Sequence, residues 1–317
     1  MSALALFAPG AARATGERLA DALALPLAPF ELRHFEDGEH KGRPLERVRG
    51  ADCFLLASLH AQSGRSVNDA LIETLFAAGT LHDAGAAHVT LVAPYLSYAR
   101  KDARTQPRDP VNSRQLAQLC EAMGIDRVVA CEVHNRAAFD NAFRIPTVHL
   151  EATSLFVAAL HGLLGADEVC VVSPDAGGLK RAERLRLALS AALERTVGRA
   201  LMEKRRSGGA LSGDFLAGDV AGHSVVIVDD LISGGGTLAR TVEACRVHGA
   251  ARVLAVVTHG LFTANTALQL AKLPLEQILL TDTAGRCVLS DAGAARIRYL
   301  DCVPLLATAI AHLHACG

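Results

Sequence analysis

Seven short apolar runs recur along the 317-residue chain: "CFLLAS", "VTLVAP", "DRVVACEV", "VCVVSP", "SVVIVD", "RVLAVVTHG" and "QILLTD". Each is rich in Val, Ile or Leu and does not alternate with polar residues, so both faces of each strand expect burial. Between them lie Ala- and Leu-rich segments of helical period, such as "NDALIETLFAAGTLHDAG" and "RQLAQLCEAMG". Strands buried on both faces and separated by helices imply βαβ units and parallel sheets with helices on either side. The expected fold class is α/β.

A repeat sharpens this. "LHDAGAAHVTLVAP" (81–94) resembles "CRVHGAARVLAVVT" (245–258). In each, a helix ends near a glycine and a strand follows. The offset is about half the chain, so two similar domains are expected. We place them at 1–148 and 149–302, with the boundary after "FRIP". The last stretch, "VPLLATAIAHLHACG" (303–317), reads as an amphipathic helix that is free to pack back on the first domain. The halves are not equivalent. The second carries "VVIVDDLISGGGTL"; the matching region of the first reads "SLHAQSGRSVND". A duplicated fold with one altered site points to different tasks in the two halves.

Composition removes several partner classes. The net charge is −1, which gives no general attraction to nucleic acid or anionic membrane. Tryptophan is absent and aromatics are few, which argues against a base-stacking surface. The eight cysteines form no C-x-x-C pair and read as small reduced core residues of a cytoplasmic protein. The start, "MSALALFAPG", lacks a basic segment and a long apolar run, and no stretch is long enough to span a bilayer.

The chemistry concentrates in residues 224–238. The apolar Val225–Val228 run straight into Asp229 and Asp230, followed by Ser233, Gly234, Gly235, Gly236 and Thr237. A strand, a glycine loop and a helix start form an anion cradle, because loop N–H groups and the helix dipole face the ligand. Glycines let the backbone come close to a phosphate. Paired acids before that loop accept hydrogen bonds from vicinal hydroxyls, so a phosphorylated sugar meets both needs. A plain glycine turn with an acidic cap would leave the desolvation of two acids unexplained.

This stretch resembles the ribose-5-phosphate loop of the phosphoribosyltransferase fold. Taken with the other motifs, the chain resembles the ribose-phosphate pyrophosphokinase family over almost its whole length. "VVSPDAGGLKRAERL" (171–185) resembles the family's pyrophosphate loop and implies that Asp175 lies near a Mg²⁺ ion. Lys180, Arg181 and Arg184 on the helix after it read as solvated. "FEDGEH" (35–40) resembles the segment whose Phe35, Asp37 and Glu39 would complete the ATP site of a neighbouring subunit. "APYLSYARKDART" (93–105) resembles the signature that places Arg100, Lys101 and Asp102 at ATP, with Lys101 standing where the family usually has Gln. "CEVHNRAAFDNAF" (131–143) places His134 at ATP and metal, with Glu132 in place of the usual Asp. "LMEKRRSGG" (201–209) resembles the catalytic arm, which makes Lys204 and Arg206 the catalytic cations, with Gly208 and Gly209 beside them.

The resemblance implies two phosphoribosyltransferase-like domains, each with a mostly parallel central sheet flanked by helices. It implies transfer of pyrophosphate from ATP to ribose 5-phosphate, with Mg²⁺ as cofactor and at least a homodimer. No nucleic acid or membrane partner is expected. The family usually has Thr where this chain has Gly234, which removes one hydroxyl donor. Two alternatives stay open: a non-catalytic or regulatory paralogue, and a phosphoribosyltransferase that consumes the product, for which no base-binding hood is visible.

Overall fold

The computed structural model describes residues 2–62, 64–207, 210–262, 264–286 and 296–316, without the side chains of 204–207, 210–214, 264, 265 and 267. It divides into two compact units, Met1–Leu150 with Cys302–Gly317, and Glu151–Asp301. In chain order the first unit contains β1 (Leu4–Phe7), α1 (Arg13–Ala22), β2 (Phe30–His34), β3 (His40–Pro44), β4 (Asp52–Leu56), α2 (Val67–Asp83), β5 (His88–Ala93), α3 (Asn112–Ala122), β6 (Arg127–Cys131), α4 (Arg136–Ala142) and β7 (Thr147–Leu150). The second contains α5 (Thr153–Leu164), β8 (Val169–Ser173), α6 (Leu179–Ala192), β9 (Gly198–Ser207), β10 (Ala210–Ala217), β11 (Ser224–Ile232), α7 (Gly236–Val247), β12 (Arg252–Gly260), α8 (Ala264–Lys272), β13 (Gln277–Thr281) and β14 (Ile297–Leu300). The last helix, α9 (Val303–Cys316), belongs to the first unit.

The two units are built alike. The first has a parallel sheet in the order β1-β4-β5-β6-β7; the second runs β10-β9-β8-β11-β12-β13-β14. Without β9 and β10 the second order is the same succession of first to fifth core strands. Each unit also places a helix and then an antiparallel hairpin between its first and second core strands. The hairpin β2–β3 forms a separate ribbon, whereas β9 pairs in parallel with β8 and so extends the sheet.

The sequence repeat has a physical counterpart. Helices α2 and α7 end at Gly85 and Gly249, whose φ values of 87° and 84° favour glycine. Ala86 N–H donates to Leu81 O and Gly85 N–H to His82 O; Ala250 and Gly249 repeat the pattern to Cys245 O and Arg246 O. This is the same paired helix-ending motif in both units. Each glycine carbonyl then accepts from a second glycine, Gly50 in one unit and Gly222 in the other.

Each sheet has an apolar cluster on each face. In β4, Cys53 and Leu55 join one cluster while Phe54 and Leu56 join the other; in β11, Val225 and Ile227 alternate with Val226 and Val228. Burial on both faces is why these strands read as unbroken apolar runs. Helix α9 contributes Val303, Leu306 and Ile310 to the cluster containing Leu6, Phe54 and Val129. Of the seven described cysteines, six are buried. Burial pushes the thiols of Cys53, Cys120 and Cys245 up to about 12, so they remain protonated packing groups. Cys287 lies outside the described residues. No helix among the described residues is long and apolar enough to cross a membrane.

Candidate active site

Strand β11 does not stop at its acids. It continues through Asp229 and Asp230 to Ile232, because β12 offers partners to the end: Asp229 lies opposite Val257, Leu231 opposite His259 and Ile232 opposite Gly260. The acids are therefore held on rigid sheet rather than on a loop. Ser233 and Gly234 turn the chain, and Gly235 opens α7 with a left-handed φ of 77°. Its carbonyl accepts the first helical bond from Ala239 N–H at 2.9 Å. A Cβ built on Gly234 or Gly236 would find no atom within 4 Å, so the backbone face there is open to a ligand. The turn is braced from behind. The buried Thr266 hydroxyl donates to Ser233 O at 2.5 Å, and Leu261 N–H donates to Ile232 O at 2.8 Å.

The acid pair has a cation. Arg181 of α6 places Nη1 3.8 Å from Asp230 Oδ1, with their side chains only 12% and 7% exposed. The three-residue group Lys180, Arg181 and Arg184 is thus only partly solvated: Lys180 is exposed, but Arg184 reaches Glu151 at 3.0 Å and the Thr153 hydroxyl at 3.2 Å. Helical spacing explains the correction, since Arg181 shares a face with buried Leu185 four residues on. That spacing was the signal available in the sequence. Burial, with Asp230 alongside, pushes the Asp229 carboxyl up to about 8, and Arg181 pulls it the other way. Asp229 Oδ1 also accepts from Asp230 N–H at 2.9 Å. A carboxyl that keeps its proton more readily can donate as well as accept a hydrogen bond.

Beside it, β8 ends at Ser173 and runs into a short 3₁₀ turn, Ala176–Gly178. Asp175 is exposed, and its Oδ1 accepts from Gly178 N–H at 3.0 Å. A Cβ on Gly178 would lie 2.7 Å from Ser173 Oγ and would disturb the bond that this hydroxyl donates to Asp175 O. Strands β8 and β11 are neighbours, with Val172 opposite Ile227. Their carboxyl ends, and hence Asp175, Asp229, Asp230 and the glycine loop, form one edge of the second unit, the usual ligand side of an open parallel sheet. On the hairpin, the Lys204 backbone lies opposite Asp214 and Arg206 opposite Leu211, with an irregularity between Leu211 and Asp214. The side chains of Lys204 and Arg206, and all of Gly208 and Gly209, lie outside the described residues.

In the first unit, Arg100, Lys101 and Asp102 follow β5 and His134 follows β6; these strands are neighbours, with Ala93 opposite Ala130. Arg100 and His134 are exposed. Lys101 Nζ donates to Asp109 Oδ2 at 2.6 Å and to Thr105 Oγ1 at 3.0 Å. The Lys101 ammonium beside Asp109, helped by Thr105, holds that carboxyl well below the usual range. The cation that replaces a neutral amide is thus matched by an acid within its own loop. Buried Glu132, two residues before His134, adopts φ 34°, a strained conformation for a residue with a side chain. Phe35, Asp37 and Glu39 occupy the tip of the β2–β3 ribbon, apart from the five-stranded sheet. Phe35 N–H donates to Glu39 O at 2.8 Å and Glu39 N–H to Asp37 Oδ1 at 3.1 Å, closing the tip. The Phe35 ring is 40% exposed, with the Arg33 guanidinium 5.3 Å from its centre.

Comparison with known proteins matches both units. Residues 4–124 fit the model for the N-terminal domain of ribose phosphate pyrophosphokinase, and residues 144–272 fit the phosphoribosyl transferase domain. A ribose-phosphate pyrophosphokinase of Vibrio vulnificus is 34% identical over 285 residues, covering 89% of this chain and 87% of that protein. One from Maricaulis maris is 34% identical over 293 residues, covering 92% and 91%. The crystal structure of phosphoribosylpyrophosphate synthetase from Mycobacterium smegmatis superposes with a TM-score of 0.88 at 29% identity, covering all of both chains.

Proposed function

The chain belongs to the ribose-phosphate pyrophosphokinase family, and we propose how its residues divide the work of the reaction. It transfers the pyrophosphoryl group of ATP to the 1-hydroxyl of ribose 5-phosphate, giving AMP and 5-phosphoribosyl 1-pyrophosphate. The sugar oxygen bonds to the β-phosphorus, the bond from that phosphorus to the α–β bridging oxygen breaks, and AMP leaves. The observation that carries the site assignment is the sheet-held pair Asp229 and Asp230 beside an open glycine loop at a helix N-terminus.

In this reading the N–H groups of Ser233–Thr237 hold the 5-phosphate, with α7 adding its dipole. Asp229 and Asp230 hold the 2- and 3-hydroxyls. Arg100 and Asp102 engage ATP; Lys101 keeps their loop in shape through Asp109 and adds positive charge there. Phe35, Asp37 and Glu39 serve the ATP site of a neighbouring copy in a homodimer or larger assembly. Lys204 and Arg206 neutralise charge that develops on the phosphoryl oxygens, where electrostatic stabilisation is the main service a protein can offer.

The cofactor in this proposal is Mg²⁺, and the residue of the second unit proposed to hold it is Asp175. Asp175 supplies a hard, exposed oxygen, which fits the ion. Among the described residues no cluster of three or more ligating side chains occurs. That suits an ion whose shell is filled largely by substrate phosphates and water. When bound, the ion polarises phosphoryl oxygens and offsets their charge.

Purified protein with ATP, Mg²⁺ and ribose 5-phosphate should form AMP and phosphoribosyl pyrophosphate in equal amounts, read by chromatography with mass detection. Binding of both substrates without turnover would indicate a non-catalytic paralogue. A requirement for added nucleobase would indicate a transferase.

Gly234 offers a direct test of the phosphate loop. It has room for a side chain and does not use a positive φ. Gly234→Thr should therefore fold normally and add a hydroxyl donor, lowering the KM for ribose 5-phosphate by about 5-fold, as about 1 kcal/mol for one hydrogen bond implies. Steady-state titration of the sugar phosphate checks this.

A further inference from the structure

Glu73 is the least expected charge in the first unit. It lies in the middle of α2 among Ala70, Leu71, Thr74 and Leu75, and its side chain is only 8% exposed. A carboxylate buried there needs partners, and it has two. Arg65 donates through Nε at 2.8 Å and also through Nη2, while His34 Nε2 lies 2.8 Å from Oε1. Burial works against the Glu73 carboxylate, but Arg65 and His34 outweigh it and hold its carboxyl below the usual range. The acid is a fixed charge.

Each partner comes from a different segment. Arg65 closes the loop after β4 and also donates to Ser58 O at 3.1 Å. His34 is the last residue of β2, next to Phe35. Across the hairpin, His40 opens β3 opposite His34 and stacks on Phe76 of α2, with ring centres 5.4 Å apart. The tip residues Phe35, Asp37 and Glu39 thus hang between two contacts to one helix, three residues apart. A third segment is tied to the first turn of the same helix, where the Tyr98 hydroxyl bonds Asn68 two residues before Arg100. Residues 68–76 of α2 are thus a common frame for the β2–β3 tip and the Arg100 segment.

We infer that Glu73, acting through His34 and Arg65, is a positioning residue that sets the β2–β3 tip for nucleotide binding. The inference rests on the proposed role of that tip at ATP. It concerns KM for ATP and not the chemical step, because Glu73 lies one residue removed from any group assigned to substrate. Nothing about ribose 5-phosphate should depend on it.

The test uses the full-length protein with Glu73→Gln, His34→Ala, His34→Gln and Phe35→Ala. Amide hydrogen exchange is followed over residues 30–44 without nucleotide, together with KM for both substrates. Glu73→Gln should speed exchange in 30–44 and raise the KM for ATP about 10-fold, leaving the KM for ribose 5-phosphate within about twofold. His34 is 56% exposed, so His34→Ala tests the same link if Glu73→Gln folds poorly. His34→Gln retains an N–H donor and should stay close to the parent. Unchanged exchange in both Glu73→Gln and His34→Ala would overturn the inference. So would equal rises in both KM values, which mark a general packing role. If Phe35→Ala leaves the KM for ATP alone, the tip has no nucleotide role; faster exchange in Glu73→Gln would then describe a structural clamp only, and the inference would fall with the reading beneath it.

Discussion

Lys204→Ala should lower kcat by about 10²- to 10³-fold if Lys204 has its proposed role, the usual loss when one preorganised donor to developing charge is removed. KM for ribose 5-phosphate should stay near the parent value, since the proposed sugar site lies on β11 and the loop after it and not on the hairpin. The site of the residue supports this split. Lys204 lies on β9 in the hairpin that extends the second sheet beyond β8, with its backbone paired to Asp214. Strand pairing sets the arm's root, and Arg206 lies two residues on, its backbone opposite Leu211. Two cations acting on one charge are not additive, so Lys204→Ala with Arg206→Ala should cost far less than the product of the single losses. Single-turnover kinetics with saturating substrates would decide it. An effect confined to KM would assign the arm to binding instead.

The fold was legible wherever strands are buried on both faces. All seven apolar runs are core strands, from "CFLLAS" in β4 to "QILLTD" in β13. Outside those runs, β1 is a four-residue apolar stretch too short to stand out, and the other strands are of another kind. β7 is half-buried throughout and β14 carries only one buried residue, so neither has a continuous apolar run. In the hairpins β2–β3 and β9–β10, charges in β2, β3 and β9 mask the extended backbone, and β10 is interrupted by "SGD". The glycine loop and its acids were also legible, because few other structures need that composition. What could not be read was pairing at a distance. Arg181 reaches Asp230 across 49 positions and Glu73 reaches His34 across 39. Such contacts depend on which helix faces which strand end, and a local window carries no record of that. Thr266 beneath Ser233 belongs to the same class.

Asp229→Asn should make the substrate-free protein more stable at pH 8 while impairing its use of ribose 5-phosphate. The sign follows from linkage. In the unfolded chain an Asp titrates near its ordinary value of about 4. In the fold, burial with Asp230 alongside pushes the Asp229 carboxyl up to about 8. Between those values the native state holds a proton that the unfolded state has released. Stability from this group is complete below about pH 4 and is lost as pH rises through about 8. Asn cannot ionise, so the variant escapes that loss. The gain at pH 8 should be at least ~2 kcal/mol, given about 1.4 kcal/mol for each pH unit between the two values and an allowance for solvent reaching a partly exposed group. Thermal melts of parent and variant should nearly coincide near pH 4 and separate with rising pH, by roughly 4–8 °C at pH 8. In the proposed site the same change removes a carboxyl partner from the sugar's hydroxyls, and should lower kcat/KM for ribose 5-phosphate by roughly 10- to 100-fold. A variant that melts lower at pH 8 would show that Arg181 already stabilises two ionised acids. A higher melting point with lost activity would show that the fold keeps the Asp229 carboxyl at a cost to its own stability, for the sake of the sugar.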